Sequence, residues 1–276
     1  MIFMTPSFYN WKIKFLKRPC LNLFWRYWQA WRGRVVGNYE NLPEIIRRFA
    51  PGKTFVDIGC MWGVNGRYAF LAEEAGAREV KAVDVFGPTP EFEEEHRRKA
   101  SRVEFILGDA TSPDILELIG AVDVVFCAGV LYHHPAPFDL LTALRRICRE
   151  TLILRTSTIP EVPGLPNAAV YFPMLSKEER ALWNLSRLGL KHQVGITNEF
   201  QPQEGYGNWF WGMTPSCLRS LLQTSGFKAE YWADEPFAQT VICTSTKIPF
   251  EHRLPNKSEA RKMAFEISAK GAAQPA

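Results

Sequence analysis

The sequence contains no Cys-x-x-Cys pair. Its six cysteines, at 20, 60, 127, 148, 217 and 243, are too scattered for a zinc ribbon or a disulfide frame, and two fall in strand-like apolar runs. They read as reduced, buried thiols of a cytoplasmic protein. No apolar run is long enough to span a bilayer. The N-terminus puts bulky aromatics where a cleavable signal has an apolar run and a small-residue site. There is no internal repeat. The dinucleotide fingerprint Gly-x-Gly-x-x-Gly is missing from the glycine turn at Gly59, where that fold would carry it. A net charge of +4 is too weak to indicate a nucleic-acid partner by itself. One absence is local: Met1 to Gly33 holds no acidic residue, against Lys12, Lys14, Lys17, Arg18, Arg26 and Arg32.

What is present is an alternation of apolar strands and amphipathic helices across the middle of 276 residues, on 46% hydrophobic and 22% charged composition. The central stretch is Thr54-Phe55-Val56-Asp57-Ile58-Gly59-Cys60-Met61-Trp62-Gly63. A short apolar strand ends in an acidic residue and then a Gly-x-x-x-Gly turn, where backbone can approach a ligand closely. A helix is expected from Val64 to about Glu74, closed by Gly76. The second strand, Glu79 to Val85, carries Asp84 near its end, where a carboxylate can accept from the vicinal diol of a ribose. The run Glu91 to Lys99 pairs opposite charges four residues apart and reads as a solvated helix face. The third strand, Val103 to Leu107, is followed by Gly108-Asp109-Ala110. The fourth, Val122 to Ala128, is the most apolar and suits the centre of a parallel sheet buried on both faces. It runs into Gly129-Val130-Leu131-Tyr132-His133-His134-Pro135. A helix over Pro137–Arg149 and a fifth strand over Thr151–Thr156, with Arg155 at its carboxyl edge, complete the alternation.

This order resembles the class I S-adenosylmethionine (SAM) methyltransferases. Asp57, Gly59 and Gly63 stand at the outer positions of their first motif, with Met61 in place of the middle glycine. The resemblance implies a Rossmann-like α/β fold: a mostly parallel sheet with an antiparallel C-terminal strand and helices on both faces. It implies SAM as cofactor, with contacts at Asp57, Gly59, Cys60, Gly63, Asp84, Asp109, Ala110 and Ala128. Asp84 would take the ribose hydroxyls, Asp109 the adenine amino group, and the amide of Ala110 the ring. A narrower resemblance, to the group around the tRNA wobble-uridine carboxymethyltransferases, rests on Gly129-Val130-Leu131-Tyr132-His133 and on Asn208-Trp209-Phe210-Trp211 followed by Pro215-Ser216, Leu218, Leu221, Leu222 and Gly226-Phe227. In the tRNA enzymes arginines follow the histidine; here His134-Pro135-Ala136-Pro137 follow, and the catalytic stretch has no basic excess. Fold and cofactor carry over, but the tRNA substrate does not.

A sulfonium methyl is already activated, so the protein's work is to align and desolvate an acceptor. For a hydroxyl acceptor a base helps, and His133 and His134 are the candidates. Adjacent residues of an extended segment point apart, and Pro135 constrains His134, which favours His133. No third ligand stands near this pair, so no metal is expected. Residues 157–213 interrupt the alternation at far more than loop length and read as a substrate-side insertion, with Trp183, Tyr206, Trp209 and Trp211 as stacking faces. Tyr132, Arg155, Tyr206, Trp209 and Trp211 are the candidate substrate contacts. A helix from Thr214-Pro215 to Gly226 and strands over Lys228–Ala233 and Gln239–Thr244 close the domain.

The organisation expected is a basic aromatic helical extension over 1–40, the methyltransferase domain over 41–249 and a loose tail over 250–276. In the extension, Leu21, Phe24, Trp25, Trp28 and Trp31 form a helical stripe that could pack on the domain, contact a membrane surface peripherally, or meet a polyanion such as tRNA. The expected activity is methyl transfer to a small molecule or sugar. The alternatives are a tRNA-modifying enzyme and a non-catalytic SAM-fold binding protein.

Overall fold

The computed structural model describes residues 42–159, 161–162, 164–176, 179, 199–235 and 238–247. The expectations for the extension 1–40, for Trp183 and for the tail 250–276 lie outside these residues. The described chain opens with α1 (Leu42–Phe49) and continues with β1 (Thr54–Ile58), α2 (Arg67–Glu74), β2 (Glu79–Asp84), α3 (Pro90–Lys99), β3 (Glu104–Leu107), α4 (Pro113–Ile119), β4 (Val122–Ala128), α5 (Pro137–Ile147) and β5 (Cys148–Ser157). After β5 come β6 (Ala169–Tyr171), a 3-10 turn (Pro202–Gly207), β7 (Trp211–Met213), α6 (Pro215–Thr224), β8 (Phe227–Glu235) and β9 (Ala238–Ser245).

Seven strands form one sheet in the order β3-β2-β1-β4-β5-β9-β8. The first five run parallel, and β9 lies antiparallel between β5 and β8. The order reverses between β1 and β4, and this places a crevice at their carboxyl ends. Central β1 is buried along its whole length, as a parallel strand covered on both faces must be. A tie at its start locks the β1–β4 register: Asp123 Oδ2 accepts from Thr54 N and Oγ1, both at 2.9 Å, and Thr54 Oγ1 accepts from Asp123 N at 2.8 Å.

Two apolar cores flank the sheet. One joins β1 and β4 to α4, α5 and α6 through Val56, Val125, Leu141, Leu144 and Leu218. The other joins them to α1, α2 and α3 through Phe55, Phe126, Tyr68, Phe70 and Phe92. The helix starts follow local chemistry. Thr89 and Thr214 each precede a proline, and their hydroxyls accept from Phe92 N and Cys217 N at 3.2 Å.

Three boundaries depart from the sequence reading. The first crossover helix begins at Arg67 and not Val64, because Gly63, Asn65 and Gly66 all take positive φ, which no right-handed helix accommodates. The helix after β4 stops at Ile147, and β5 starts at once with Cys148. The insertion is not wholly irregular, since β6 and β7 pair as an antiparallel ribbon, Ala169 with Met213 and Tyr171 with Trp211. Among the described residues no helix is long and apolar enough to cross a membrane.

Candidate cofactor and acceptor site

The carboxyl ends of β1, β2, β3 and β4 open on one cavity of about 280 Å³. Of the predicted contacts, Gly59, Asp84, Asp109, Ala110, Ala128, Tyr132, His133, His134 and Tyr206 line it. Gly59 turns the chain out of β1 at φ +78° and donates to Val83 O at 2.8 Å. Its missing Cβ leaves room for a neighbour: a Cβ there would lie 2.2 Å from Val130 Cγ2, and Val130 is itself part of the wall.

Asp84 does structural work besides facing the cavity. Its Oδ2 accepts from Met61 N at 2.7 Å and its Oδ1 from Phe86 N at 2.9 Å. The carboxylate thus braces the glycine turn against the end of β2. Burial raises its pKa, and these backbone donors oppose that rise.

Asp57 is fully buried and does not line the cavity, although Ile58 and Gly59 beside it do. Its Oδ2 has no hydrogen-bond partner. Burial, with the charge of Asp84 adding to it, pushes its pKa up to about 8. An orphaned carboxylate oxygen in a dry interior is costly, and it calls for a cationic donor.

Asp109 is well supplied with donors. Oδ1 accepts from Thr111 N and Thr111 Oγ1, both at 2.8 Å, and Oδ2 accepts from the Tyr206 hydroxyl. The His134 imidazole, then Tyr206 and Thr111, hold its pKa below the usual carboxylate range. His134 Nε2 lies 3.9 Å from Oδ1. His134 is otherwise tied to its own loop: its Nδ1 lies 3.1 Å from Ala136 N and 2.9 Å from Ala136 O, and its ring stacks on Tyr206.

His133 is placed differently. Its Nδ1 lies 2.8 Å from the carbonyl oxygen of Asn208, which can only accept, so Nδ1 carries the proton. The neutral ring therefore keeps its lone pair on Nε2. Burial lowers its pKa, and the Asn208 carbonyl opposes that. Trp62 stacks on the ring at 6.3 Å and Tyr132 packs against it at 4.3 Å.

The remaining predicted contacts lie elsewhere. Cys60 is buried in the core beside β1, its thiol pKa pushed up by burial and then by the charges of Asp57 and Asp84. Gly63 is exposed and outside the wall. Arg155 is buried in the sheet with Nη1 donating to Thr240 Oγ1 at 2.7 Å, so it is no part of the cavity. Trp209 backs the cavity indirectly, its ring tilted against Tyr132 at 4.1 Å. Trp211 faces away, its Nε1 donating to Pro135 O at 2.8 Å and its ring on Tyr171. Trp62 and Phe86, in edge contact at 5.3 Å, line the wall without having been singled out in the sequence. Trp62 sits inside the glycine turn, and a bulky aromatic there was the available signal.

The donor set fits SAM. Asp84 ends β2 at the cavity, Asp109 and Ala110 follow β3, and Asp57, next to the lining residues Ile58 and Gly59, keeps one carboxylate oxygen without a hydrogen-bond partner. A model of the FtsJ-like methyltransferase family matches residues 40–152, which hold all of these. The chain has the fold of the class I SAM-dependent methyltransferases. The fold also recurs in solved structures. The N-terminal domain of EvdMO1 with S-adenosylhomocysteine bound has a TM-score of 0.50 at 16% identity, over 75% of this chain and 79% of that one. The 1,6-didemethyltoxoflavin N1-methyltransferase of Burkholderia thailandensis has a TM-score of 0.50 at 17% identity, over 88% of this chain and 91% of that one. No curated protein matches the chain by sequence.

Proposed function

We propose that the chain is a SAM-dependent methyltransferase and acts on a hydroxyl group of an uncharged, ring-containing small molecule such as a sugar. The observation that carries the reading is the chemistry of the cavity wall. His133 lines it with Nδ1 tied to a carbonyl and Nε2 open, while the described lining residues include the carboxylates Asp84 and Asp109 and neither Lys nor Arg. Bound SAM supplies an activated methyl group on a sulfonium. His133 Nε2 is suited to take the hydroxyl proton as the new O–CH₃ bond forms and the S–CH₃ bond breaks. Trp62, Phe86, Tyr132 and Tyr206 offer apolar faces on which a ring can stack and from which water is excluded. The two carboxylates disfavour phosphorylated or polyanionic acceptors. They equally disfavour a carboxylated form of the cofactor, whose extra anion would need a cation beside it.

The test is methyl transfer from radiolabelled SAM to neutral sugars and phenols, with sugar phosphates and bulk tRNA alongside. Transfer to a neutral hydroxyl is expected. His133→Gln should then lower kcat by about 10²–10⁴-fold with SAM affinity kept. Transfer confined to tRNA or to phosphorylated acceptors would sink the reading.

A further inference from the structure

Asn208 is buried, and every polar atom it has is engaged. Its side-chain Nδ2 donates to Gln201 O at 2.7 Å and to Gly205 O at 2.9 Å. Its Oδ1 accepts from Gln201 N at 2.8 Å, and its own N–H donates to Gly205 O at 3.2 Å. These bonds close residues 201–208 into a ring around one amide side chain. The closure holds even though Gly205 takes φ +50°, ψ −121° within it. The one Asn208 group left to face outward from that ring, its carbonyl oxygen, accepts from His133 Nδ1, 75 residues away in sequence. The segment is pinned on its far side too, where Phe210 N and Trp211 N donate to Tyr132 O at 2.9 and 3.2 Å.

We infer that Asn208 is a positioning residue: its side chain fixes its own carbonyl against His133 and so holds that imidazole in the Nδ1–H form, with Nε2 turned to the acceptor. An exposed neutral imidazole would exchange between two tautomers, and only one of them leaves Nε2 able to take a proton. A carbonyl on a loose loop could not select between them. Here four hydrogen bonds from one side chain and one amide fix the loop, and the loop fixes the ring. The consequence for catalysis rests on the reading of His133 as the base; the tautomer itself does not.

The experiment is long-range ¹H–¹⁵N correlation on the full chain with ¹⁵N-labelled histidine. The chain has five histidines, and His133→Gln assigns the relevant one. The wild type should show His133 protonated at Nδ1 and bare at Nε2. Asn208→Ala should shift the signals toward exchange between the tautomers. Asn208→Asp, which keeps the acceptor for Gln201 N and loses both donated bonds, should do the same with little change in volume. Both variants should lower kcat about tenfold or more while the SAM Kd and the acceptor KM move less than about threefold. Shifted tautomers with an unchanged rate would uphold the positioning and remove His133 as base. A wild-type spectrum with the proton on Nε2, or an unchanged Nδ1–H form in folded Asn208→Ala, would overturn the inference.

Discussion

The hydroxyl of Tyr206 donates to Asp109 Oδ2 across the cavity, joining residues 97 apart in sequence. Tyr206 comes from the 3-10 turn of the insertion and Asp109 from the end of β3. The contact therefore ties the insertion after β5 to the strand ends at the cavity. It also occupies the carboxylate to which the family resemblance gives the adenine amino group. Burial and Asp109 together push the pKa of Tyr206 up, so it remains a donor throughout the physiological range.

The two side chains should respond oppositely to truncation. Asp109→Ala removes the acceptor and is expected to weaken SAM binding by about 1.5–3 kcal/mol, the worth of a hydrogen bond to a charged group. Tyr206→Phe removes only the competitor and should leave the affinity unchanged or tighten it by up to about fivefold. Calorimetric titration with SAM reads both. Equal weakening in the two variants would make the pair a latch and take Asp109 away from the adenine.

The two motif glycines should separate just as clearly. At Gly59 a Cβ would strike Val130 Cγ2 at 2.2 Å with φ at +78°. Gly59→Ala is thus expected to lower the melting temperature by several degrees and to weaken SAM binding about tenfold or more, since Val130 must shift within the wall. At Gly63, φ is +69° and no atom lies within 4 Å of the added Cβ. Gly63→Ala should cost about 1–2 kcal/mol of backbone strain and leave the SAM Kd within about twofold. Loss of binding in a folded Gly63→Ala protein would show that this glycine meets the cofactor after all.

The contrast between those glycines marks how far the sequence could be read. Strand ends were legible: open α/β sheets bind ligands beyond their carboxyl edges, and Asp84, Asp109 and Ala128 follow apolar runs at the positions that rule selects. The rule failed at Arg155 because the next strand runs the other way. Arg155 lies opposite Thr240 of antiparallel β9 and donates to its hydroxyl inside the sheet. Spacing alone could not tell that Gly63 turns outward while Gly59 faces Val130. Nor could it pair Asn208 with His133 or Tyr206 with Asp109. Those contacts join an insertion to a distant strand end, and no local periodicity encodes them.

Asp84 carries two loads, and its replacement should show both. Asp84→Ala leaves the N–H groups of Met61 and Phe86 without their acceptor, which is expected to cost about 1–3 kcal/mol of stability. SAM affinity should fall by a similar about 1–3 kcal/mol if the same carboxylate takes the ribose hydroxyls. Thermal melts and calorimetry on one preparation distinguish the two losses. A lower melting temperature with unchanged SAM affinity would leave Asp84 as a brace of the glycine turn and nothing more.

Asp57 predicts a dependence on pH. Its folded pKa is raised to about 8 from an ordinary 3.8, by burial first and by Asp84 second. Between those values the unfolded chain has released this proton while the folded chain keeps it. The folded state then binds more protons, so stability declines as pH rises through the window and is level beyond it. Asp57→Asn removes this contribution: the variant should melt above the wild type at pH 8, with the gain shrinking toward pH 4. SAM binding should change in the opposite sense. A cationic amino group favours the ionised carboxylate, so wild-type affinity should rise as pH climbs toward 8, and Asp57→Asn should bind more weakly with a flatter profile. Asp84 shares the upward shift and remains in both proteins, so the difference between their curves reports Asp57 together with its coupling to Asp84. Parallel melting curves across pH 5–8, together with equal SAM affinity, would mean that the buried carboxylate neither titrates in this range nor meets the cofactor.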